Sequence, residues 1–568
     1  MRIFLSVLCA NSVLIVINKL FSGFYEPSLF PGEGYIINFV LTFSCIFFYR
    51  MAIRLLFDYA RNSQTKTVRN IPLLIYGVGS TSVGLAKMIL NNDNLPYRIT
   101  GFLTPNQEIS RKEILNTPVH YVDDIFYNIP LLKQIKAILI NPKEIERSEK
   151  QFLADKCLYH KIDILSAPPV EDWRDWENNP REIKKIKIED LLGRIPIQID
   201  IESIKNNLGT KTILITGAAG SIGSEIVRQI SRFDLGLLLV CDIAESPLHQ
   251  LCLELEDKFT HIPHIPVIAD VKDYNQMKIV FEKYRPHYVY HAAAYKHVPL
   301  MELHPCEAIL TNVQGTCNVV DLAVAYEAEA FVMVSTDKAV NPCNVMGASK
   351  RIAEIYVQSL YRKLKNESPD SSPIRIITTR FGNVLGSNGS VIPRFNHQIK
   401  QGGPVTVTDP DIIRYFMTIP EACRLVLEAG NMGKGGEVFI FDMGDSVKIK
   451  DLAEKMIRLS GLEPYKDIEI KFTGLRPGEK LYEELLYDEE KVKETHNRKI
   501  MIGKVVEYDY EEVIPVLNQL IDSAKEFDKM GTVKLMKKIV PEFISQNSVY
   551  SILDEFKNHL KVETEINK

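Results

Sequence analysis

A chain of 568 residues is too long for one ordinary domain and points to about three or four units. With 46% hydrophobic and 25% charged residues it is not a disordered or low-complexity protein. A formal net charge of -4, with Lys and Arg scattered, gives no basis for a nucleic-acid partner. The nine cysteines are isolated and no CxxC pair occurs, so no metal site and no disulfide framework are indicated, and a reducing compartment fits.

The chain opens with an apolar run from Ile3 to Phe21 and a second, uncharged one from Tyr35 to Tyr49. Each reaches the ~20 residues of a bilayer span once its flanks are counted. The stretch between them, Ser22 to Gly34, holds two glutamates and no Lys or Arg. Arg50, Arg54, Arg61, Lys66 and Arg69 follow at once. By the positive-inside rule residues 1–66 form a transmembrane hairpin and cytoplasmic exit, with both ends in the cytoplasm. The expected location is the inner membrane, multi-pass, with the rest of the chain cytoplasmic.

Residues 67–200 begin with LLIYGVGSTSVG, a strand running into a turn with Gly77, Gly79 and Gly84. That spacing departs from G-x-G-x-x-G, so the unit is read only as nucleotide-binding-like. Pro168 to Asp200, with two tryptophans and mixed charge, reads as a connector.

Residues 201–500 alternate strands with helices. The run TILITGAAGSIGSEIVRQ (212–229) is an apolar strand, a turn on Gly217, Gly220 and Gly223, and a helix that includes Ser221 and Ile222. Glycines allow the tight turn and close backbone approach, and a helix N-terminus offers free N–H groups to a pyrophosphate. A second strand ends in Asp242, placed to hold the ribose hydroxyls of NAD and repel a 2′-phosphate. A third ends in Asp270, followed by Val271, at the adenine; a fourth ends in the small residues Ala292, Ala293 and Ala294, over which a dinucleotide can lie flat. The next strand, AFVMVSTDK, brings Ser335, Thr336, Asp337 and Lys338 to the carboxyl edge of the sheet, where such folds bind ligands. Downstream, Met346 and Lys350 stand four apart on one helix face. From residue 501 to 568 the pattern is a tail of amphipathic helices, for example Val513 to Phe527.

The glycine turn, the acid after the second strand, and Thr-Asp-Lys with the later lysine resemble the extended short-chain dehydrogenase/reductase superfamily. HAAAYKHVPLME (291–302), RFGNVLGSNGSVIPRF (380–395), RYFMTIPEA (414–422) and LRPGEKLYEEL (475–485) bring the likeness closer, to the long, membrane-bound UDP-N-acetylglucosamine 4,6-dehydratases of polysaccharide biosynthesis. The fold expected is therefore α/β: a transmembrane helical hairpin, then two doubly wound Rossmann-like domains in tandem, the second an extended short-chain dehydrogenase/reductase. The chain departs from that family in two ways. The long form usually carries about four membrane spans against the two read here, which implies a sequence truncated at its N-terminus or started from a late methionine. Met346 stands where the superfamily usually has a tyrosine, and a thioether cannot take a proton.

The resemblance implies a dehydratase that uses bound NAD. The C4 hydroxyl is oxidised, water is lost across C5 and C6, and hydride returns to C6. In this reading Thr336 binds the C4 oxygen. Asp337, its pKa raised, is the acid at C6, and Lys338, its pKa depressed, is the base at C5. Lys350 holds the nicotinamide ribose, and a water relay through Thr336 or Lys350 takes the C4 proton in place of a tyrosine. Lys296 reaches the sugar and Asn383 the uridine diphosphate. Arg394, Arg414 and Arg476 offer bidentate contacts to phosphates or to a neighbouring carboxylate, and Glu479 takes ribose hydroxyls. Partners follow as a nucleotide sugar, a membrane and a second copy of the chain. Competing readings are a UDP-N-acetylhexosamine 4-epimerase, a membrane sugar-1-phosphate transferase and a non-catalytic NAD-binding scaffold.

Overall fold

The structure, a computed structural model, describes residues 32–65, 71–167, 183–186 and 199–554, apart from 93–94, 133, 142–144, 368–372, 485–491 and 505, with scattered positions between 12 and 19 and residue 188. The first apolar run and most of the connector lie outside the described residues. The second run lies in a helix, α1 (Gly32–Thr65), that is much longer than the run itself. Its Ile36–Ile53 segment has a mean hydropathy of 1.8 and no residue buried against protein, and it is the one described helix long and apolar enough to cross a membrane. At 1.5 Å per residue the whole helix is about 50 Å long.

Two compact units follow from the packing: residues 1–146 with 162–186, and residues 147–161 with 187–568. The first holds a seven-stranded sheet ordered β3-β4-β2-β1-β5-β6-β7, formed by β1 (Ile71–Tyr76), β2 (Tyr97–Thr104), β3 (Glu113–Ile114), β4 (Thr117–Tyr121), β5 (Ala137–Ile140), β6 (Asp163–Ser166) and β7 (Lys184–Lys185). Strand β1 pairs in parallel with β2 on one side and β5 on the other. Its apolar residues Leu73 to Ile75 are buried because both faces of the sheet are covered. Gly77, at φ +95°, turns β1 into α2 (Ser80–Asn91).

In the second unit the strands are β8 (Thr212–Thr216), β9 (Leu237–Asp242), β10 (His264–Ile268), β11 (Tyr288–His291), β12 (Ala330–Val334), β13 (Arg375–Arg380), β14 (Asn383–Leu385), β15 (Val405–Val407), β16 (Ile413–Thr418), β17 (Val438–Phe441), β18 (Ser446–Lys448), β19 (Ile470–Phe472), β20 (Val492–Glu494) and β21 (Ile500–Gly503). Nine of them form one sheet in the order β10-β9-β8-β11-β12-β13-β17-β21-β20. The order reverses between β8 and β11, so a crevice opens there beyond their carboxyl ends. Helix α3 (Ser221–Ile230) leaves β8 on one side of that switch, and α4 (Val345–Glu367) flanks the sheet after β12.

The described residues between 501 and 554 are not the appended tail expected from the amphipathic pattern of 501–568. Strand β21 joins the main sheet antiparallel to β17 and β20. Helices α5 (Tyr510–Lys525) and α6 (Lys529–Ile539) bury Val513, Leu517, Leu520, Val533 and Met536 in the core that also contains Phe331 of β12 and Ile352 of α4.

Candidate active site

The cradle at the switch point is shaped by missing side chains. Gly217 sits at φ +66°, and a Cβ there would lie 2.6 Å from the backbone nitrogen of Ala293. A Cβ on Gly223 would lie 2.1 Å from the Gly217 carbonyl, so α3 reaches the strand end only because that residue is glycine. Gly220 caps α3 without a side chain, leaving its first N–H groups facing the turn. The Ser221 hydroxyl accepts from the Asn388 N–H, tying the 386–390 loop to the cradle. Ile222 packs against the core under the turn.

Asp242 ends β9 as expected, and its carboxylate accepts the Ala219 and Ala244 N–H groups, each at 2.9 Å. It thereby braces the glycine turn. Asp270 accepts the Lys272 N–H, while Val271 packs on the backbone of Gly315. Ala292 donates to the Thr216 carbonyl, bringing the 292–294 run alongside the cradle.

Behind this edge His291 is fully buried between two threonines, Thr216 Oγ1 at 2.8 Å and Thr316 Oγ1 at 3.0 Å. The Thr316 hydroxyl donates to the Asn312 carbonyl. The network therefore assigns the His291 proton to Nε2, with Nδ1 accepting from Thr216. Burial, and then the charge of Lys350, push this imidazole down to about 3, so it stays neutral. Asn312 lies in a π-helical turn (Ile309–Gln314), a distortion frequent at functional sites. Its amide nitrogen donates to the Tyr295 carbonyl and to Ser349 Oγ of α4.

Thr336, Asp337 and Lys338 follow β12, and the first turn of α4 lies against them. A Cβ on Gly347 would fall 2.1 Å from the Lys338 carbonyl. Asp337 is 2% exposed. Its Oδ1 accepts from the Thr336 hydroxyl at 2.9 Å and from Lys338 Nζ at 3.1 Å, while Oδ2 is buried with no hydrogen-bond partner among the described residues. Burial raises its pKa above the usual carboxylate range, partly offset by Lys338.

Lys338 corrects the expectation of a depressed pKa. Burial does lower it, but Asp337 and Glu483 outweigh burial, and the ammonium is held above its ordinary value. Its Nζ stands 3.1 Å from Glu483 Oε1 and 3.2 Å from Asn383 Oδ1. The depressed lysine is instead Lys350, 5% exposed on α4, which burial lowers to about 8. Met346 is buried in the apolar core one turn before it.

The expected substrate residues divide into two groups. Arg414, on β16, lies with Nη2 3.5 Å from Glu479 and Nε 3.4 Å from Glu483, and Arg476 also reaches Glu479 at 3.4 Å. Both arginines thus stand beside carboxylates, and Glu479 is engaged by them. Asn383 meets Lys338 and donates to the Tyr415 carbonyl. Lys296 stands apart on the exposed lip after β11, its ammonium lowered by partial desolvation. Arg394, exposed on its helix, donates to Thr406 and joins none of these groups.

Several residues of the site were not singled out from the sequence. Glu483 lies inside the LRPGEKLYEEL string but has no motif spacing of its own. Glu354 is completely buried. It takes Arg380 Nη2 at 2.7 Å and the Ser335 hydroxyl at 2.6 Å, locking α4 to the ends of β12 and β13. Glu302 accepts the Val345 N–H at the start of α4 and, through its other oxygen, the Ser548 hydroxyl.

The sequence of this unit matches known proteins. The family described as polysaccharide biosynthesis protein matches residues 213–505. Over 484 residues the chain is 43% identical to the capsular polysaccharide biosynthesis protein CapD of Staphylococcus aureus, covering 84% of this chain and 79% of that one. It is 43% identical over 455 residues to the probable polysaccharide biosynthesis protein EpsC of Bacillus subtilis, covering 80% and 74%. A UDP-glucose 4-epimerase of Rickettsia typhi is 37% identical over 287 residues, covering 50% of this chain and 80% of that protein. The family match spans more than half of the chain and the relatives align far beyond it, so the chain belongs to the polysaccharide biosynthesis protein family.

Proposed function

We propose that this chain is an NAD-dependent nucleotide-sugar 4,6-dehydratase acting on UDP-N-acetylglucosamine, anchored in the cytoplasmic membrane by α1 with its catalytic unit on the cytoplasmic side. One observation carries the reading: a buried acid with an unpartnered oxygen, Asp337, hydrogen-bonded to a lysine, Lys338, beside a glycine cradle. Epimerisation at C4 needs a proton acceptor for one hydroxyl and a ketone free to rotate. It has no use for an acid and an amine held together next to that hydroxyl.

The cradle fits a dinucleotide. Gly217 and Gly223 bring the backbone and α3 to within contact of the strand ends, the α3 N–H groups face a pyrophosphate, and Asp242 retains lone pairs for ribose hydroxyls. When bound, NAD supplies the hydride acceptor for C4 and the donor for C6. Thr336 holds the C4 oxygen. Met346 cannot take the C4 proton, whereas Lys350, lowered to about 8, is partly neutral near pH 7 and takes it directly or through one water. Asp337, raised by burial, gives its proton to the departing C6 hydroxyl. Lys338 removes the proton from C5.

Full-length chain in detergent, incubated with UDP-N-acetylglucosamine in heavy water, tests this by mass spectrometry. The expected product has lost one water and carries deuterium. A product of unchanged mass with inverted C4 makes the chain an epimerase, and bound NAD without turnover makes it a scaffold.

A further inference from the structure

Lys338 is clamped as an ammonium and must lose a proton before it can act as the base at C5. Its ammonium has three protons, and three oxygens stand around it: Asp337 Oδ1 at 3.1 Å, Glu483 Oε1 at 3.1 Å and Asn383 Oδ1 at 3.2 Å. A base needs a free lone pair, so one proton must leave before Lys338 can reach C5. An amide oxygen such as that of Asn383 is too weak a base to keep it. Asp337 must hold a proton of its own for the C6 oxygen. Among the described residues only Glu483 remains, 3.1 Å away and itself buried.

We propose that Glu483 receives and stores the Lys338 proton during turnover, acting through Lys338 as a positioning residue for that proton. The proposal rests on the dehydratase reading. The Nζ–H bond breaks and an Oε1–H bond forms, so an ion pair becomes a neutral amine and a neutral acid, with no change in net charge or proton count. Arrival of the sugar excludes water, and a drier site favours the neutral pair over the ion pair. Lys338 then takes the C5 proton, and Asp337 gives its proton to the leaving hydroxyl. The lysine refills Asp337 across the same 3.1 Å hydrogen bond, Glu483 returns the stored proton to Lys338, and C5 takes a new proton from solvent as hydride reaches C6, matched by the C4 proton that Lys350 gives up to solvent. Every group ends as it began.

Other charges around the three groups fit this assignment. Glu483 faces Lys338, Arg414 and Lys480; Lys338 faces Asp337, Glu483 and Arg414; Asp337 faces Lys338, Glu483 and the Thr336 hydroxyl. Arg414 lies 3.4 Å from the oxygen that faces Lys338, and Glu479 and the Lys480 carbonyl hold it there. It keeps Glu483 ionised at rest, so the proton is taken only when the site closes.

The test follows water loss and deuterium entry at C5 in full-length protein with NAD, from about pH 6.5 to about pH 9. Wild-type turnover is expected to follow only the Lys350 titration, rising to a plateau above about pH 8, because the Lys338 proton moves within the site. Glu483→Gln leaves Lys338 to discharge into solvent, so its rate relative to wild type is expected to be down about 100-fold at neutral pH and to recover about tenfold per pH unit. Glu483→Asp keeps an acid one methylene back and is expected to retain the wild-type profile at a lower rate. A Glu483→Gln loss that is the same factor at every pH overturns the proposal, as does a wild-type rate in that variant or a Glu483→Asp profile steeper than wild type. Wild-type protein that loses no water from the sugar overturns the dehydratase reading itself, and this inference with it.

Discussion

Asp337 carries a carboxylate oxygen that no donor reaches, a position where a protonated acid is at ease and a carboxylate is not. Asp337→Asn keeps the shape and loses the proton. It is expected to lower water loss about 100- to 10,000-fold while NAD affinity, read by fluorescence titration, stays within a factor of about two. Lys350 makes a prediction about stability. Below about pH 8 it is charged in both folded and unfolded chains, and the folded state bears the full penalty of burying it. Above that value the folded chain sheds the proton first, so the penalty fades as pH rises toward the ordinary lysine range. Lys350→Met is therefore expected to be more stable than wild type by about 3 kcal/mol at pH 7, an advantage that shrinks above pH 8. Urea unfolding at a series of pH values reads it, and an advantage that does not change with pH refutes it. The two lysines show the limit of reading single residues from sequence. Both stood out by motif, but the one expected to be depressed is raised. Glu483 lies 145 positions after Lys338 in the chain, and nothing in the local pattern announces that the two meet.

Elements that depend on neighbours in sequence were legible. The β8–turn–α3 unit was read from its apolar run, its glycines and the helix pattern after them, because those are local requirements. Its tolerance is narrow. Gly223→Ala drives a methyl into the Gly217 carbonyl, and either α3 or the turn must shift. NAD affinity is expected to fall by more than about tenfold, checked by the same titration. Elements held by long-range contacts were not legible. Amphipathic periodicity located α5, yet periodicity does not say which core a helix enters. The Glu354 network is of the same kind, an acid on α4 that reads as one more helical charge. Arg380 is 1% exposed, so Arg380→Ala leaves Glu354 buried without its main partner. The expected cost is about 3–5 kcal/mol, seen as a lower midpoint in thermal unfolding.

At the scale of the whole molecule, α1 presents an apolar surface with no partner in the protein among the described residues. The Ile36–Ile53 segment buries nothing against protein, and an apolar surface of that length is stable only in lipid or against another helix. Full-length protein is expected to stay with membranes after an alkaline carbonate wash, whereas a chain starting at residue 67 is expected in the soluble fraction; release of the full-length form refutes the anchor. The second unit adds a requirement of timing. Ile544 donates to the Pro342 carbonyl, Gln546 donates to Cys343 and accepts from Gly478, and Ser548 closes on Glu302 across 246 positions of chain. These bonds brace the loop between Lys338 and α4. A ribosome that has already translated every group assigned to the chemistry still has this brace left to make. The nascent chain is therefore expected to stay silent until residues 544–548 have emerged and docked, so that the chemistry begins only in a finished fold.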